Sequence, residues 1–279
     1  MEGTAQNQVA MGRRGEVAKG TRTALVTGAS TGIGRCYAEQ LAELGYNLVV
    51  VSHTEETLRQ TADEIAAKYA AQVTVIVRDL AQIDAAEQLF AEIKERGIDV
   101  DILINNAGMF SFCDICNTPI ERIKRTILLH DITNTLLCRL FAEDMSSRGG
   151  GRILNMSSFS IWMPFPGLSL YSASKAYLKS FSVAFSKEVR DKGVYVTAVC
   201  PAGIATDLYG LTPKWQKIGL RLGALMSPQS CARRGLRAMW RGRRCIVPDW
   251  WNKIFIPFCL IMPPFMLRWL RNYTMQFQK

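Results

Sequence analysis

A glycine-rich loop between an apolar strand and a helix constrains the fold of this 279-residue chain more than any other feature. Residues 24–26 form a short apolar run typical of a buried strand, and the loop TGASTGIG follows at 27–34. The pattern of residues 36–44 predicts a helix that Gly45 ends, and a second apolar strand follows at 47–51. Glycines let the backbone approach a pyrophosphate, and a helix N-terminus supplies free N–H groups. The order of these elements predicts an α/β fold with a dinucleotide site.

A tyrosine, a lysine and a serine form a second group of chemical interest. Tyr171 and Lys175 are four residues apart in YSASK, which places both side chains on one face of a helix. A neighbouring cation lowers the pKa of a phenol from its ordinary value of about 10, so the phenol becomes a usable proton donor near neutrality. Ser158 precedes Tyr171 by 13 positions (171 − 158 = 13) and can hydrogen-bond a carbonyl oxygen. A Tyr–Lys pair alone is usually a surface pair, so the interpretation depends on the motifs around it.

Six motifs in order make the chain resemble the classical short-chain dehydrogenase/reductases over roughly residues 22–210. They are TGASTGIG at 27–34, Asp79-Leu80, Asn105-Asn106-Ala107-Gly108, Asn155-Met156-Ser157-Ser158, YSASK at 171–175, and Cys200-Pro201-Ala202-Gly203. Within that family the chain looks most like the hydroxysteroid dehydrogenases and 3-oxoacyl reductases that carry a hydrophobic C-terminal extension. The resemblance implies a single-domain, Rossmann-like, doubly wound parallel sheet with helices on both faces. It also implies hydride transfer between a nicotinamide cofactor and a ketone or secondary alcohol.

The resemblance assigns roles to individual residues. Tyr171 would protonate the developing alkoxide, Ser158 would hydrogen-bond the same oxygen, and Lys175 would hold the nicotinamide ribose and lower the pKa of Tyr171. Asn105 would stabilise the central sheet beside the cofactor. The residues implied in cofactor binding are Gly28, Ser30, Thr31, Gly32, Ile33, Gly34, Ser52, His53, Thr54, Asp79, Leu80, Asn106, Ala107, Gly108, Tyr171, Lys175, Pro201, Gly203, Ile204 and Thr206.

One member of the family's catalytic set is missing from this chain. The family usually has an asparagine about 28 residues before the serine, where it holds a water that links the lysine to solvent. Here that position is His130 (158 − 130 = 28). An imidazole both donates and accepts, so His130 is a candidate catalytic residue in the relay. Asn134, one turn later, is the alternative, and a merely packed His130 with a weakened relay is the third interpretation.

The end of the second strand favours NADP(H) over NAD(H). An acidic residue there would bind the ribose 2′-hydroxyl and repel a 2′-phosphate, but this chain has no carboxylate before Glu55. Ser52, His53 and Thr54 can donate hydrogen bonds to a phosphate, and Arg35 follows the glycine loop. An exposed loop histidine without a role is the alternative for His53.

The C-terminal part of the chain is strongly basic. Residues 208–279 hold 13 Lys and Arg against one acid, Asp249, whereas residues 1–207 hold 21 basic and 23 acidic residues. A helix predicted to begin at Ser227-Pro228 carries its arginines at helical spacing, which indicates either a solvated face or attraction to anionic lipid headgroups. The apolar run 254–267 is too short to span a bilayer and contains prolines. It is an interfacial anchor, a wall of the substrate pocket or an oligomer contact.

The remaining features divide the chain into three parts. Residues 1–21 are polar and basic, and we expect them to be a disordered tail. We expect residues 22–249 to form the catalytic domain, with a substrate lid at 207–225. Residues 250–279 are the C-terminal extension. The lid and the aromatic loops near it predict a hydrophobic small-molecule substrate, steroid-like or 3-oxoacyl-like. The expected lid and loop residues are Leu208, Tyr209, Leu211, Trp215, Ile218, Leu222, Leu225, Phe110, Phe112, Ile161, Trp162, Met163, Phe165 and Pro166.

The sequence also limits partners and location. The eight cysteines show no paired zinc spacing, so no metal is expected, and the basic surface lacks any helix-turn-helix or base-stacking pattern, so no nucleic acid is expected. A cytoplasmic location, with peripheral association at a membrane surface, and a homodimer or homotetramer are the expectations. The rival hypothesis is a non-catalytic dinucleotide-binding sensor or scaffold at a membrane surface. A third hypothesis keeps the enzyme but has it oxidise an alcohol with NAD.

Overall fold

The computed structural model describes residues 20–163, 165–206, 212–221, 225–249, 254, 256–257 and 259–274. Nearly all of the predicted N-terminal tail therefore lies outside the described residues. So do parts of the lid and of the C-terminal extension. The individually named expectations that fall there are Leu208, Tyr209, Leu211 and Leu222.

A seven-stranded, wholly parallel sheet forms the centre of the fold, in the order β3-β2-β1-β4-β5-β6-β7. The strands are β1 Thr23–Thr27, β2 Asn47–Ser52, β3 Val73–Val77, β4 Ile102–Asn105, β5 Gly151–Met156, β6 Val194–Val199 and β7 Cys245–Ile246. Their apolar, β-branched runs suit strands that are buried on both faces. The predicted doubly wound Rossmann-like sheet is confirmed.

Helices cover both faces of the sheet. They are α1 Gly32–Glu43, α2 Glu55–Tyr69, α3 Ala85–Glu95, α4 Ile120–Ile127, α5 Asn134–Ser147, α6 Ser169–Glu188, α7 Pro213–Arg221, α8 Pro228–Trp240 and α9 Pro264–Thr274. A π-helical turn, Leu128–Thr133, joins α4 to α5, and 3₁₀ turns lie at Ile115–Asn117, Phe159–Trp162 and Arg190–Lys192.

Two separate hydrophobic cores result from the alternation of side chains along the strands. Ala24 and Val26 of β1 face α1, α2 and α8, whereas Leu25 between them faces α3 and α5. Successive strand residues point to opposite faces, so a buried parallel strand has to be apolar at every position. The two cores hold the sheet as a rigid platform whose strand ends carry the functional residues.

The strand order reverses between β1 and β4, and the chain crosses itself closely at this point. Gly28 has a φ of 64°, and a Cβ placed on it would lie 2.9 Å from the Cα of Ala107. A Cβ on Gly34 would collide with the carbonyl oxygen of Gly28. The reversal opens a crevice at the carboxyl ends of the strands, which is where open α/β sheets bind their ligands.

Neither a membrane-spanning helix nor a metal-binding cluster is present among the described residues. Within the described ranges, no helix is both long enough and apolar enough to cross a membrane. Among the same residues, no cluster of three or more His, Cys, Asp or Glu side chains could hold a metal ion.

Replacing Gly34 with alanine tests the close approach at the crevice. The added methyl group meets backbone atoms of Gly28 that cannot rotate away. We expect Gly34→Ala to lower the free energy of unfolding by roughly 1–3 kcal/mol, the ordinary cost of overpacking, in urea denaturation.

Gly97→Ala is the matched control, because the new Cβ at that position meets no atom within 4 Å. The φ of Gly97 is 66°, so its cost is the backbone strain alone, about 1 kcal/mol. Equal destabilisation by the two variants would show that the contact between Gly28 and Gly34 does not constrain the loop.

Candidate active site

A cleft of about 850 Å³ runs across the carboxyl ends of β1, β2, β4 and β5. The structure gathers most of the predicted site residues along its walls. Those that line it are Gly28, Ser30, Thr31, Gly32, Ile33, Ser52, His53, Asp79, Leu80, Asn106, Ala107, Gly108, Ser158, Tyr171, Lys175, Pro201, Ile204 and Thr206. Gly34, Thr54, Gly203 and His130 do not line the cleft. Gly34 packs behind the glycine loop, and His130 is buried behind Gly108.

The side chain of Asn106 holds the glycine loop in place. Its amide nitrogen donates to the carbonyl oxygens of Thr27 and Gly28, both at 3.1 Å. In return, the hydroxyl of Thr27 accepts the backbone N–H groups of Asn106 and Ala107, both at 3.0 Å. These four bonds tie the loop after β1 to the loop after β4 and thereby fix one wall of the cleft.

The N-terminus of α1 fits the phosphates of a dinucleotide. Thr31 precedes the helix without any capping hydrogen bond from its side chain, and no acidic residue lies in the first turn. The backbone N–H groups of that turn therefore keep their hydrogen-bonding capacity toward the cleft, together with the positive end of the helix dipole. The glycines beside them leave no side chain in the space that a pyrophosphate would use.

Tyr171, Lys175 and Ser158 meet at the other end of the cleft. All three are almost wholly buried, and Lys175 is only 4% exposed. Tyr171 and Lys175 are on α6 as predicted, and Ser158 follows β5 and accepts a hydrogen bond from the N–H of Ser160 at 3.1 Å. The hydroxyl of Ser158 is close enough to the phenol of Tyr171 to exert a lowering effect on the pKa of that phenol. The tyrosine and the serine can thus contact one substrate oxygen.

Burial dominates the electrostatics of this group. Burial raises the pKa of Tyr171, and the neighbouring hydroxyl of Ser158 offsets only part of that effect. This direction is opposite to the expectation that Lys175 lowers the tyrosine pKa. The ammonium lies 5.9 Å from the centre of the phenol ring and donates to the carbonyl oxygen of Met156 at 2.9 Å.

Lys175 itself is affected by the same burial. Burial lowers the pKa of Lys175 to about 8, against the opposing influence of Asp131 and Cys200. The lysine therefore carries its charge at neutral pH and titrates within reach of ordinary assays. Gly108 packs tightly beside it, because a Cβ there would lie 3.3 Å from the lysine nitrogen and 3.1 Å from Nε2 of His130.

His130 occupies a defined place behind Gly108, and its hydrogen bonds identify the tautomer. The N–H of Met109 donates to Nε2 at 3.0 Å, so the ring proton is on Nδ1 and is donated to the hydroxyl of Ser174 at 2.9 Å. Ser174 in turn donates to the carbonyl oxygen of Tyr171 at 3.0 Å. The imidazole therefore connects the loop after β4 to the helix that carries Tyr171.

These hydrogen bonds limit what His130 and Asn134 can do in a proton relay to Lys175. Both ring nitrogens are engaged, and burial together with the nearby Lys175 holds the pKa of His130 well below its ordinary value. His130 is thus a neutral bridge with no free nitrogen toward Lys175. Asn134 donates to the carbonyl oxygens of Leu129 and His130, at 3.2 and 2.8 Å, and so closes the π-helical turn.

Asp131 is a residue of this site that the sequence interpretation missed. Burial raises its pKa to about 6, although the positive charge of Lys175 acts in the opposite direction. One carboxylate oxygen, Oδ1, is buried without a hydrogen-bond partner among the described residues. The only signal in the sequence was an acidic residue next to His130, and the π-helical turn that buries it was not predictable from periodicity.

The opposite end of the cleft is lined by several basic side chains. His53 is exposed at the rim, and Ser52 hydrogen-bonds Ser30 at 3.2 Å beneath it. Arg78 and Arg125, which the sequence interpretation did not select, also line this end. The backbone N–H of Arg78 donates to the carbonyl oxygen of Ser52, which places the arginine beside the end of β2.

Each arginine at this end has an acidic neighbour. Arg125 pairs with Asp79 at 3.0 Å, Arg78 pairs with Glu92 at 2.9 Å, and Arg35 pairs with Glu39 at 2.9 Å. Nε of Arg78 is nevertheless buried without a hydrogen-bond partner among the described residues.

Aromatic side chains of two loops lie next to Tyr171 and Ser158, and we call this group the aromatic mouth. The ring of Phe110 meets the ring of Tyr171 edge to face at 5.0 Å and stacks on Phe112 at 6.4 Å. Phe159 packs against Trp162 at 5.5 Å on the other loop. The backbone bond from Cys113 N–H to the carbonyl oxygen of Gly167, 2.9 Å long, joins the two loops. Of the predicted pocket residues in this group, Phe110 contacts Tyr171 directly, but none is among the residues that line the cleft, so their role in a substrate pocket stays a prediction.

Comparison with known proteins identifies the family. The family described as short chain dehydrogenase matches residues 22–217. The chain belongs to the short-chain dehydrogenase family. The expected family membership is thus confirmed, and the match ends within α7, before the basic helix α8.

The curated relatives that the chain resembles include proteins named as 3-oxoacyl-CoA reductases and hydroxysteroid dehydrogenases. A very-long-chain 3-oxoacyl-CoA reductase of Bos taurus is 34% identical over 70% of this chain and 63% of the relative. A 17-beta-hydroxysteroid dehydrogenase type 3 of Mus musculus is 36% identical over 66% and 61%. A human protein named inactive hydroxysteroid dehydrogenase-like protein 1 is 36% identical over 67% and 57%. This chain spans about three fifths of the length of these relatives.

A solved structure supports the assignment to the short-chain dehydrogenase family. A short-chain dehydrogenase from Sphingobium yanoikuyae in complex with NADPH superposes with a TM-score of 0.74 and 29% identity, over 84% of this chain and 92% of that one. The similarity to that protein therefore extends over most of the chain.

The pH dependence of stability tests the position of His130. Its pKa in the folded protein is well below the unfolded value of about 6.5, so below that pH the unfolded chain binds one more proton than the folded chain. The free energy of unfolding is therefore fully maintained above pH 6.5 and falls as the pH drops, by up to about 1.4 kcal/mol per pH unit from this residue.

The variant His130→Asn removes the titrating group while it keeps a donor and an acceptor. We expect its free energy of unfolding to fall less steeply between pH 6.5 and 5 than that of the wild type, in urea titrations at each pH. His53→Asn is the control, because His53 is exposed. Equal slopes for the wild type and His130→Asn would contradict the buried, neutral imidazole.

Proposed function

We propose that this protein is an NADP(H)-dependent oxidoreductase that transfers a hydride to or from a hydrophobic ketone or secondary alcohol. The observation that carries the proposal is the meeting of Ser158, Tyr171 and Lys175 in one cleft with the glycine loop and the free N-terminus of α1. The three side chains come from two separate elements and are buried together, which is unusual for polar groups without a shared chemical role.

The residues of the chain supply binding, orientation and proton transfer. When bound, the nicotinamide supplies the hydride. Ser158 and Tyr171 hold the substrate oxygen through their hydroxyl groups, and the phenol gives its proton to that oxygen as negative charge develops there. Lys175 keeps a positive charge beside the phenol at neutral pH, which stabilises the phenolate left behind. Gly108 and the aromatic loops exclude bulk water, so these charges interact in a low-dielectric environment.

The preference for NADP(H) rests on the chemistry of the cleft end near β2. Ser52 and His53 stand where an acidic residue would repel a 2′-phosphate, and Arg78 and Arg125 add positive charge beside them. The buried, unpaired Nε of Arg78 is a further donor close to that position. The solved relative that contains NADPH supports the same preference.

The substrate class follows from the aromatic mouth. Phe110 packs on Tyr171 and stacks on Phe112, and Phe159 and Trp162 form a second aromatic pair directly after Ser158. Two of the matched relatives are named for 3-oxoacyl-CoA and for hydroxysteroids. A steroid-like or 3-oxoacyl-like ketone combines an apolar body with one carbonyl group, which suits such a pocket.

Tyr171→Phe tests the proposal. The variant removes the proton donor and keeps the ring that contacts Phe110, so we expect kcat for ketone reduction to fall at least about a hundredfold. NADPH affinity, measured by fluorescence titration, should remain within about twofold of the wild-type value. The assay follows NADPH absorbance with a panel of steroid, 3-oxoacyl and aromatic ketones.

Tyr177→Phe is the matched control, because Tyr177 lies on the same helix with an exposed side chain that hydrogen-bonds Thr135. It should leave kcat unchanged. Full activity of Tyr171→Phe, or absence of turnover by the wild type with every ketone and every alcohol, would contradict the proposed function.

His53→Asp tests the cofactor preference. A carboxylate at that position would accept hydrogen bonds from a ribose 2′-hydroxyl and repel a 2′-phosphate. We expect the ratio of NADPH to NADH affinity to fall by about tenfold or more, which corresponds to roughly 1.4 kcal/mol. His53→Asn separates loss of the imidazole from gain of charge, and an unchanged ratio in His53→Asp would place the 2′-position elsewhere.

A non-catalytic role at the same site is the second candidate function. Two observations favour it: both nitrogens of His130 are occupied by hydrogen bonds, and one matched relative is named as inactive. Such a protein would bind NADPH and turn over no substrate. The Tyr171→Phe comparison separates the two candidates, since only the enzyme loses a measurable rate.

We also propose that the C-terminal extension contacts a membrane surface. Several of its large apolar side chains are exposed in the structure, namely Ile254, Leu260, Ile261, Phe265 and Trp269. Contiguous exposed apolar residues flanked by basic ones are typical of interfacial segments. The alternative oligomer contact would bury the same side chains against a second copy of the chain.

A further inference from the structure

A second concave site lies outside the cleft, beyond the edge strand β7. It is a groove of about 530 Å³ between α8, β7 and the loop that follows Ser158. Its walls carry the arginines Arg234, Arg237, Arg241 and Arg243, and its apolar lining includes Trp162 and Ile246. We refer to it as the arginine groove, and none of the residues assigned to the catalytic or cofactor site lines it.

Local structure explains why four arginines face one space. Arg234, Arg237 and Arg241 are spaced by three and four residues, so they share one face of α8 and its last turn. Gly242, with a φ of 60°, then reverses the chain, and the carbonyl oxygen of Arg243 accepts a hydrogen bond from Thr197 at 2.7 Å. The reversal brings Arg243 back beside the helix end, and the bond to β6 holds it there.

The positive charge of the arginine groove is largely uncompensated. Arg234 donates to the carbonyl oxygen of Pro248 and lies 3.8 Å from Asp249. Among the described residues, the side chains of Arg237, Arg241 and Arg243 have no carboxylate within ion-pair distance. Like charges at this spacing repel one another, and an anion in the groove would relieve that repulsion. Guanidinium groups suit phosphate in particular, because they donate two parallel hydrogen bonds.

The arginine groove shares no lining residue with the nucleotide cleft, although Pro228 and Gln229 at the start of α8 line that cleft. The glycine loop follows β1, and four strand spacings, about 19 Å, separate β1 from β7. The groove is close to the substrate end instead. Trp162 is the last residue of the 3₁₀ turn that Ser158 caps, and four residues of such a turn rise about 8 Å.

From this arrangement we propose that the arginine groove binds the phosphate groups of an elongated substrate whose ketone is reduced at Tyr171. The substrate class is a 3-oxoacyl thioester of a phosphate-bearing nucleotide carrier, such as coenzyme A. The inference rests on the proposed function, since it extends the substrate of the same site. The groove binds the anionic end, the aromatic mouth holds the neutral arm, and the reactive carbonyl lies between Ser158 and Tyr171.

The grouping of the arginines favours a discrete ligand. Four arginines line one open groove whose volume of about 530 Å³ is in the range of small-molecule sites. Arg233 and Arg244 are exposed as well but lie outside the groove.

Two thioesters of the same 3-oxoacyl group test the inference, one carried by coenzyme A and one by N-acetylcysteamine, which lacks every phosphate. The double variant Arg237→Ala/Arg241→Ala should raise KM for the coenzyme A thioester about tenfold or more, with kcat unchanged. KM for the N-acetylcysteamine thioester should stay at its wild-type value. Arg233→Ala, on the same helix but outside the groove, is the matched control.

Calorimetric titration with free coenzyme A makes the test independent of turnover. We expect the wild type and Arg233→Ala to bind coenzyme A and the double variant to lose about tenfold or more in affinity. Arg237→Lys/Arg241→Lys keeps the charge without the planar fork and should show an intermediate affinity. Thermal unfolding of each variant confirms that it is folded, which is expected because all the replaced side chains are exposed.

Three results would overturn the inference. The first is equal coenzyme A affinity of the wild type and the double variant, and the second is equal KM values of the wild type for the two thioesters. The third is a double variant that loses binding to phosphatidylglycerol vesicles but keeps its affinity for coenzyme A. The last result would assign the groove to lipid headgroups. A wild type that binds coenzyme A through the groove but reduces no ketone would instead refute the proposed function and leave the anion site standing.

Discussion

The contact between the two loops at the strand reversal is the constraint on which the rest of this structure depends. Asn106 donates to the carbonyl oxygens of Thr27 and Gly28, and only glycine fits at positions 28 and 34 where the backbones meet. This contact fixes the height of the glycine loop above the sheet and leaves the N-terminus of α1 open toward the cleft. Gly108, which follows this contact in the chain, and the helix α6 that carries Tyr171 complete the cleft on the other side. The packing is stiff because both faces of β1 are buried in separate hydrophobic cores.

Burial, rather than direct charge pairing, sets the electrostatics of the catalytic group. The same exclusion of water raises the pKa of Tyr171 and Asp131 and lowers the pKa of Lys175 and His130. Lys175 keeps its charge at neutral pH, whereas His130 is neutral and serves as a hydrogen-bonded bridge between Met109 and Ser174. At this position, where the resemblance implies an asparagine, the imidazole accepts the backbone N–H of Met109. Its neighbour Asp131 is, among the described residues, the acidic group that acts on Lys175.

The fold also sorts the charge of the chain into two regions with different chemistry. At the cofactor end, the arginines that line the cleft are paired with Asp79, Glu92 and Glu39, so their charge is moderated and their geometry is fixed. At the far edge, the arginine groove has little compensation, because residues 208–279 contain a single acid. A long amphipathic substrate would fit between these regions, with its reactive carbonyl at the end of β5 and its anionic end beyond β7.

The sequence by itself determined the fold, the family and most residues of the cleft. Strand and loop motifs recur in a fixed order along the chain, and parallel strands bring their carboxyl ends to one edge. Only the tertiary structure decided the direction of the Tyr171 pKa, the tautomer of His130, the burial of Asp131 and the part played by Arg78. These depend on how much water the packed chain excludes and on hydrogen bonds between residues far apart in sequence. The arginines of α8 were visible as a helical pattern, but their convergence on a groove required Gly242 to turn the chain and β7 to pair with β6.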